Sequence, residues 1–157
     1  SGSDMAFLSS MNIVASGMTA QQLRLDVVAE NVTNSTTTRT EAGGPYRRKM
    51  VVFQSVAGRD DFRAAMARAA GGLAPNTGAS PAGGVRVTQI VEDPSPMKLV
   101  YDPAHPDANE DGYVEMPNVD MVKEMTDAMA ATQAYSANVT AFNTLKSVVA
   151  KGLEIGR

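Results

Sequence analysis

The strongest hydrophobic order in this chain lies at its two ends. Near the start, Leu8, Met11, Ala15, Met18, Gln22, Leu25, Ala29 and Val32 recur at alternating spacings of three and four. That is the repeat of a helix that packs along its length against other helices. Gln22 is its one polar interruption, and Gly17 weakens the helix locally by about 1 kcal/mol relative to Ala. From Asn31 to Thr40 the chain fills with Asn, Ser and Thr, whose side chains compete for backbone hydrogen bonds and end the helix.

The far end repeats the texture. Met121, Met125, Ala128, Thr132, Tyr135, Val139, Phe142, Lys146, Val149 and Leu153 follow the same spacing. Asn118, after Pro117, is the expected N-cap, and Asp120 and Glu124 place negative charge at the positive end of the helix dipole. Pro and Gly are absent from Asn118 to Lys151, and Gly152 and Gly156 predict a frayed end. At ~1.5 Å per residue such a helix reaches roughly 50 Å, more than a small globular domain spans. Part of it must pack outside its own middle segment.

The middle has a different period. Tyr46 to Phe53 alternates and is rich in β-branched and aromatic residues, which predicts a strand punctuated by Gly43, Gly44 and Pro45. Val85–Val91, Met97–Tyr101 and Gly112–Met116 predict three more strands. Arg59–Ala70 is Ala-rich and charged and predicts a short helix, and Gly71–Gly84 reads as a mobile linker. The fold class that follows is α+β. Long N- and C-terminal helices pack as a coiled-coil-like pair, with a small β-rich middle domain inserted between them. Residues 1–4, ahead of Met5, read as an expression-tag remnant. Residues 5–35 are then the first helix, 36–116 the middle domain with a variable insert at 56–84, and 117–157 the second helix.

Composition narrows the function. The 157 residues carry a net charge of −3, which gives no argument for nucleic acid. There is no Cys, so neither a disulfide nor a thiolate metal site is available. No stretch approaches the ~20 apolar residues that span a bilayer, and the start lacks the pattern of a cleaved signal peptide. The ten Met residues suit irregular cores and adaptable interfaces alike.

Candidate chemistry is thin. His105, the one histidine, sits in Asp102-Pro103-Ala104-His105-Pro106-Asp107. A general base beside a carboxylate is the functional reading, and a solvated turn residue the expected one. No nucleophile accompanies it. Asp107-Ala108-Asn109-Glu110-Asp111-Gly112 matches the first half of a calcium loop, with oxygen ligands at alternate positions and Gly at the turn. The twelfth position is Asn118 instead of a bidentate Glu, and a Pro-rich approach replaces the entering helix, so an Asx-rich turn is expected. A self-contained helical module binding calcium through this loop is the alternative reading. Arg47, Arg48 and Lys49 form the one basic run, expected at a solvated strand edge or in a salt bridge across a subunit contact.

Four segments together resemble one family. Asn12–Asn34, N-I-V-A-S-G-M-T-A-Q-Q-L-R-L-D-V-V-A-E-N-V-T-N, resembles the N-terminal helix of the flagellar axial proteins, which include rod, hook and hook-associated subunits. Pro117–Asn138, P-N-V-D-M-V-K-E-M-T-D-A-M-A-A-T-Q-A-Y-S-A-N, resembles their C-terminal helix. Gly44–Phe53 and Pro96–Pro106 look like the corresponding segments of a proximal-rod member. The motif residues are Asn31, Asn34, Pro45, Tyr46, Arg47, Arg48, Asn118, Asp120, Tyr135 and Asn138. Asn31-Val32-Thr33-Asn34 departs from the family's usual Asn-Ile-Ala-Asn, and Val56–Gly83 matches no family pattern.

The resemblance implies a structural, non-enzymatic subunit without cofactor or small-molecule substrate. Its partners would be other proximal and distal rod subunits, the type III export apparatus and basal-body ring components. Its place would be the basal-body rod crossing the periplasm, reached without a cleaved signal. The assembly faces expected from the stripes are Leu8, Met11, Met18, Leu25 and Val32 on the first helix. On the second they are Met121, Met125, Tyr135, Val139, Phe142 and Val149. Such helices have too few partners within one chain, so polymerisation is expected to complete their order.

Overall fold

A computed structural model describes residues 2–55 and 84–155. The expected helix at 59–70 and the linker at 71–83 lie outside the described residues. The order is α1 (Gly2–Thr33), β1 (Lys49–Ser55), β2 (Val85–Glu92), β3 (Lys98–Tyr101), β4 (Tyr113–Met116) and α2 (Met121–Ile155). The strands form two two-stranded sheets, β1 with β2 and β3 with β4. The class is α+β, as the two periodicities predict.

The chain divides into two compact units whose boundaries fall inside both helices. One comprises residues 1–20, 53–88 and 134–157, the other 21–52 and 89–133. In each unit a stretch of α1 packs on a stretch of α2. In the first, Gly17 lies under Asn138, close enough that an added Cβ would stand 2.9 Å from the amide nitrogen. The glycine that weakens α1 locally therefore makes room for the Asn138 side chain of α2. In the same unit Ser16 Oγ accepts the Val85 N–H at 3.0 Å.

The second unit holds most of the buried side chains: Val27, Val28, Asn31, Tyr46, Val114, Pro117, Asn118, Val119, Glu124 and Ala131. Here β3 and β4 are antiparallel, pairing Leu99 with Glu115 and Tyr101 with Tyr113. The two tyrosine rings meet edge-on at 5.3 Å. Gly112 turns the chain into β4 at φ +83°, and a Cβ there would collide with Tyr101 and Pro103. Val114 points inward, and Lys98 Nζ donates to the Val119 carbonyl at 2.9 Å.

Two expectations need correction. The first strand begins at Lys49 instead of Tyr46, because the preceding backbone bonds elsewhere: Tyr46 N–H donates to Thr37 O and Arg48 N–H to Asn118 Oδ1. Asn118 is also not the N-cap of α2. That role belongs to Asp120, whose Oδ1 accepts the Val122 N–H at 3.0 Å and whose carbonyl takes the first helical bond, from Glu124. At the other end α2 runs through Gly152 to Ile155.

Candidate functional site

Where α1 and α2 meet within each unit, the touching side chains are small or polar: Gly17 with Asn138 in the first, Arg24 with Asp127 and Asn31 with Glu124 in the second. On α1 the seam positions are Gly17, Ala20, Arg24, Val27 and Asn31; on α2 they are Glu124, Asp127, Ala131 and Asn138. Within the second unit the Arg24 guanidinium pairs with Asp127, and Asn31 donates to Glu124. Met18, Gln22, Leu25 and Ala29 each stand two residues before a seam position, roughly 200° round the helix. Leu8 is exposed, and Met11, Met18, Leu25 and Val32 are half-buried.

On α2 the division is sharper. Val122, Met125 and Met129 are 74%, 63% and 66% exposed, and Met121 is exposed beside them. Glu124, between them in sequence, is wholly buried. Farther along, Tyr135, Val139, Phe142 and Val149 are half-buried, while Val148, Leu153 and Ile155 stand exposed. Val122, Met125 and Met129 recur at helical spacing and share one exposed face of α2.

Behind this surface lies a buried polar cluster, all of it in the second unit. Asn31 uses its whole hydrogen-bonding capacity. Its Oδ1 accepts from Tyr46 Oη at 2.8 Å and from Lys49 N at 2.9 Å. Its Nδ2 donates to Lys49 O at 2.9 Å and to Glu124 Oε2 at 3.2 Å. The carboxamide thus pairs with both backbone groups of Lys49, as a neighbouring strand would. Glu124 Oε1 accepts from Arg48 Nε, and Arg48 Nη1 reaches Asp93 Oδ2 at 3.2 Å. Asn118 completes the ring. Its Oδ1 accepts the Arg48 N–H at 2.7 Å, and its Nδ2 donates to the carbonyls of Asp93 and Ser95. Arg47 Nη1 donates to the same two carbonyls, each at 2.9 Å.

These contacts set the charge states. Burial works against the Arg48 cation, but Glu124 and then Asp93 outweigh it and hold the guanidinium charged. Asp93 is pulled below the usual carboxylate range by the Ser95 hydroxyl and N–H, then by Arg48. Burial pushes the Tyr46 phenol up to about 12, helped by the negative charges of Glu30, Glu124 and Glu92.

The structure gathers Asn31, Tyr46, Arg47, Arg48 and Asn118 from the motif residues into this one cluster. Asn34 sits at its edge as a helix end-cap, donating from Nδ2 to the Glu30 carbonyl at 2.9 Å. Pro45 is half-buried ahead of Tyr46. Tyr135 and Asn138 lie outside this cluster, in the other unit. Glu124 and Asp93 were missed as members. A carboxylate at a helix start reads as a dipole partner, and only the long-range pairing with Arg48 marks it otherwise. The basic run is corrected too: Arg48 makes its salt bridges inside the chain, and Lys49 pairs with Glu30 at 2.7 Å.

The two chemical candidates are turns. The Asp107 carboxylate accepts from Thr38 Oγ1 at 2.7 Å and pairs with Arg39, which together pull it below the usual range. Asn109 Oδ1 accepts the Tyr113 N–H, and His105 Nδ1 accepts the Asp107 N–H at 3.0 Å. Among the described residues no helix is long and apolar enough to cross a membrane.

Comparison with known proteins agrees with this picture at both ends. A family model described as Flagella basal body rod protein matches residues 11–39. One described as Flagellar basal body rod FlgEFG protein C-terminal matches residues 110–155. The chain is 46% identical over 158 residues to the flagellar basal-body rod protein FlgC of Bacillus subtilis, covering 98% of this chain and 100% of that one. It is 42% identical to FlgC of Borreliella burgdorferi, over 96% of this chain and 98% of that one. FlgC of Salmonella typhimurium is 40% identical, over 98% of this chain and 100% of that one.

Proposed function

The chain belongs to the FlgC family of flagellar basal-body rod proteins, and from that premise we propose that it is a structural subunit of the proximal rod. The near-full-length similarity carries the rod assignment. The exposed row Val122, Met125 and Met129 supports how the subunit is joined. Burying such side chains against a neighbour gains about 25 cal/mol per Å² of apolar area. The outward stripe of α1, with Leu8, Met18 and Leu25, supplies the complementary apolar surface of the next subunit. Contacts of this head-to-tail kind generate open helical arrays, here a hollow shaft. In this reading residues 36–116 stand outside the helical layer.

Its partners are other rod and basal-body components, among them the adjoining proximal and distal rod subunits and the ring proteins. The type III export apparatus carries it to the rod in the periplasm. The subunit works without catalysis, cofactor, nucleic acid or small-molecule substrate.

The test is genetic and structural. Deleting the gene in the bacterium that carries it should abolish swimming, and basal bodies purified from complemented cells should contain the chain in the proximal rod by cryo-electron microscopy. Motile deletion cells, or complemented basal bodies without the chain, contradict the assignment.

A further inference from the structure

The seam between α1 and α2 in the second unit carries little shape information of its own. Its buried apolar members are Val27, Val28 and Ala131, and its outer pair, Arg24 with Asp127, is half-exposed. Ala128 and Ala131 stand one turn apart on α2, so a shift of one turn meets a similar surface. Two antiparallel helices with such faces have several nearly equivalent registers.

Glu124 distinguishes among them. Its side chain has no exposed surface, and its two carboxylate oxygens are taken by Asn31 of α1 and Arg48 ahead of β1. Arg48 is itself fixed from three sides: its backbone N–H by Asn118, its carbonyl by the Asp93 N–H, and its guanidinium by Asp93. A slip that keeps Glu124 within the seam parts its carboxylate from both partners. The correct register is the one arrangement that satisfies it. A buried ion pair adds little net stability against an apolar pair of like volume, while an unpaired buried charge is strongly unfavourable. Its energetic effect therefore falls on the wrong registers.

We infer that the Arg48–Glu124 pair is a register pin, a positioning device that selects one alignment of the two helices, and with it the outward placing of Val122, Met125 and Met129. The inference concerns the isolated chain and does not depend on rod assembly.

The chain has no cysteine, so Gln22→Cys and Thr126→Cys, both exposed and both in the second unit, accept spin labels cleanly. Pulsed electron paramagnetic resonance then reads the distance between α1 and α2. With the pair intact, one narrow distance population is expected. In R48M/E124M the thermal midpoint should stay within a few degrees, and a second population displaced by about 5 Å, one turn of helix rise, should appear. E124Q, which keeps the shape and removes the charge, should broaden the distribution in the same sense. If the double variant fails to fold, E124Q decides: a broadened distribution supports the pin. A single unchanged population in every variant that folds overturns it. So does failure of both variants to fold, because the pair would then carry stability and not register.

Discussion

Glu124 and Asn31 together explain why several polar residues in this chain sit where an apolar core is expected. Asn31 is 1% exposed and fully hydrogen-bonded, so it is a structural joint between α1 and the start of β1. Truncating one partner of a buried charged pair costs more than the pair contributes, and Glu124→Ala should lower unfolding stability by about 3 kcal/mol, read by urea denaturation. The cluster also dictates the response to pH. Asp93 and Asp107 have folded-state pKa values below the ordinary carboxylate range, so their contribution is present above about pH 4 and lost as pH falls through the folded values. The urea midpoint should therefore fall on acidification below pH 4, and less so in D107N. Tyr46 behaves oppositely. Its folded value of about 12 lies above the ordinary phenol, so its contribution is complete below pH 10 and disappears between 10 and 12. An absorbance titration of tyrosinate should show one late phenol near 12, absent in Y46F. The Asn31 partnerships are not visible from spacing, because Tyr46 and Glu124 lie 15 and 93 residues from it.

Among the described residues the two terminal helices and four strands were legible to within a few residues, since the 3.6- and 2-residue periods are local properties. What local pattern did not reveal was which face of each helix is used at home. The large apolar stripe draws the eye, yet the seam of Gly17, Arg24 and Asn31 against Asn138, Asp127 and Glu124 is small and polar. The cap of α2 was misplaced by two residues for a similar reason. Asn118 and Asp120 both suit an N-cap, and only the bond that Asn118 Oδ1 accepts from the Arg48 N–H separates them. Asp120→Ala should therefore destabilise α2 by about 1 kcal/mol as a lost cap. Asn118→Ala should lose more, because three cluster bonds go with it. Comparing the two by thermal melts separates the roles. At Gly17 any large side chain meets Asn138, so Gly17→Leu should reduce stability although leucine favours helix more than glycine does.

At the scale of the whole molecule, small and polar side chains join the helices within each unit, Gly17 with Asn138 in one and Arg24 with Asp127 and Asn31 with Glu124 in the other, while Val122, Met125 and Met129 stay exposed. The family, the class and the terminal stripes were readable because they repeat along the chain; the buried anchor was not, because it is assembled from five separate segments. The central claim is that the outward face of α2 joins the subunit to the rod. Met125 is 63% exposed and shares that face with Val122 and Met129. The most direct measurement is the amount of Met125→Asp protein in basal bodies purified from deletion cells that produce it, set beside its monomer melting curve. The account predicts an unchanged melting midpoint with no incorporation and no swimming. Normal incorporation and normal swimming with an aspartate at that position would contradict it.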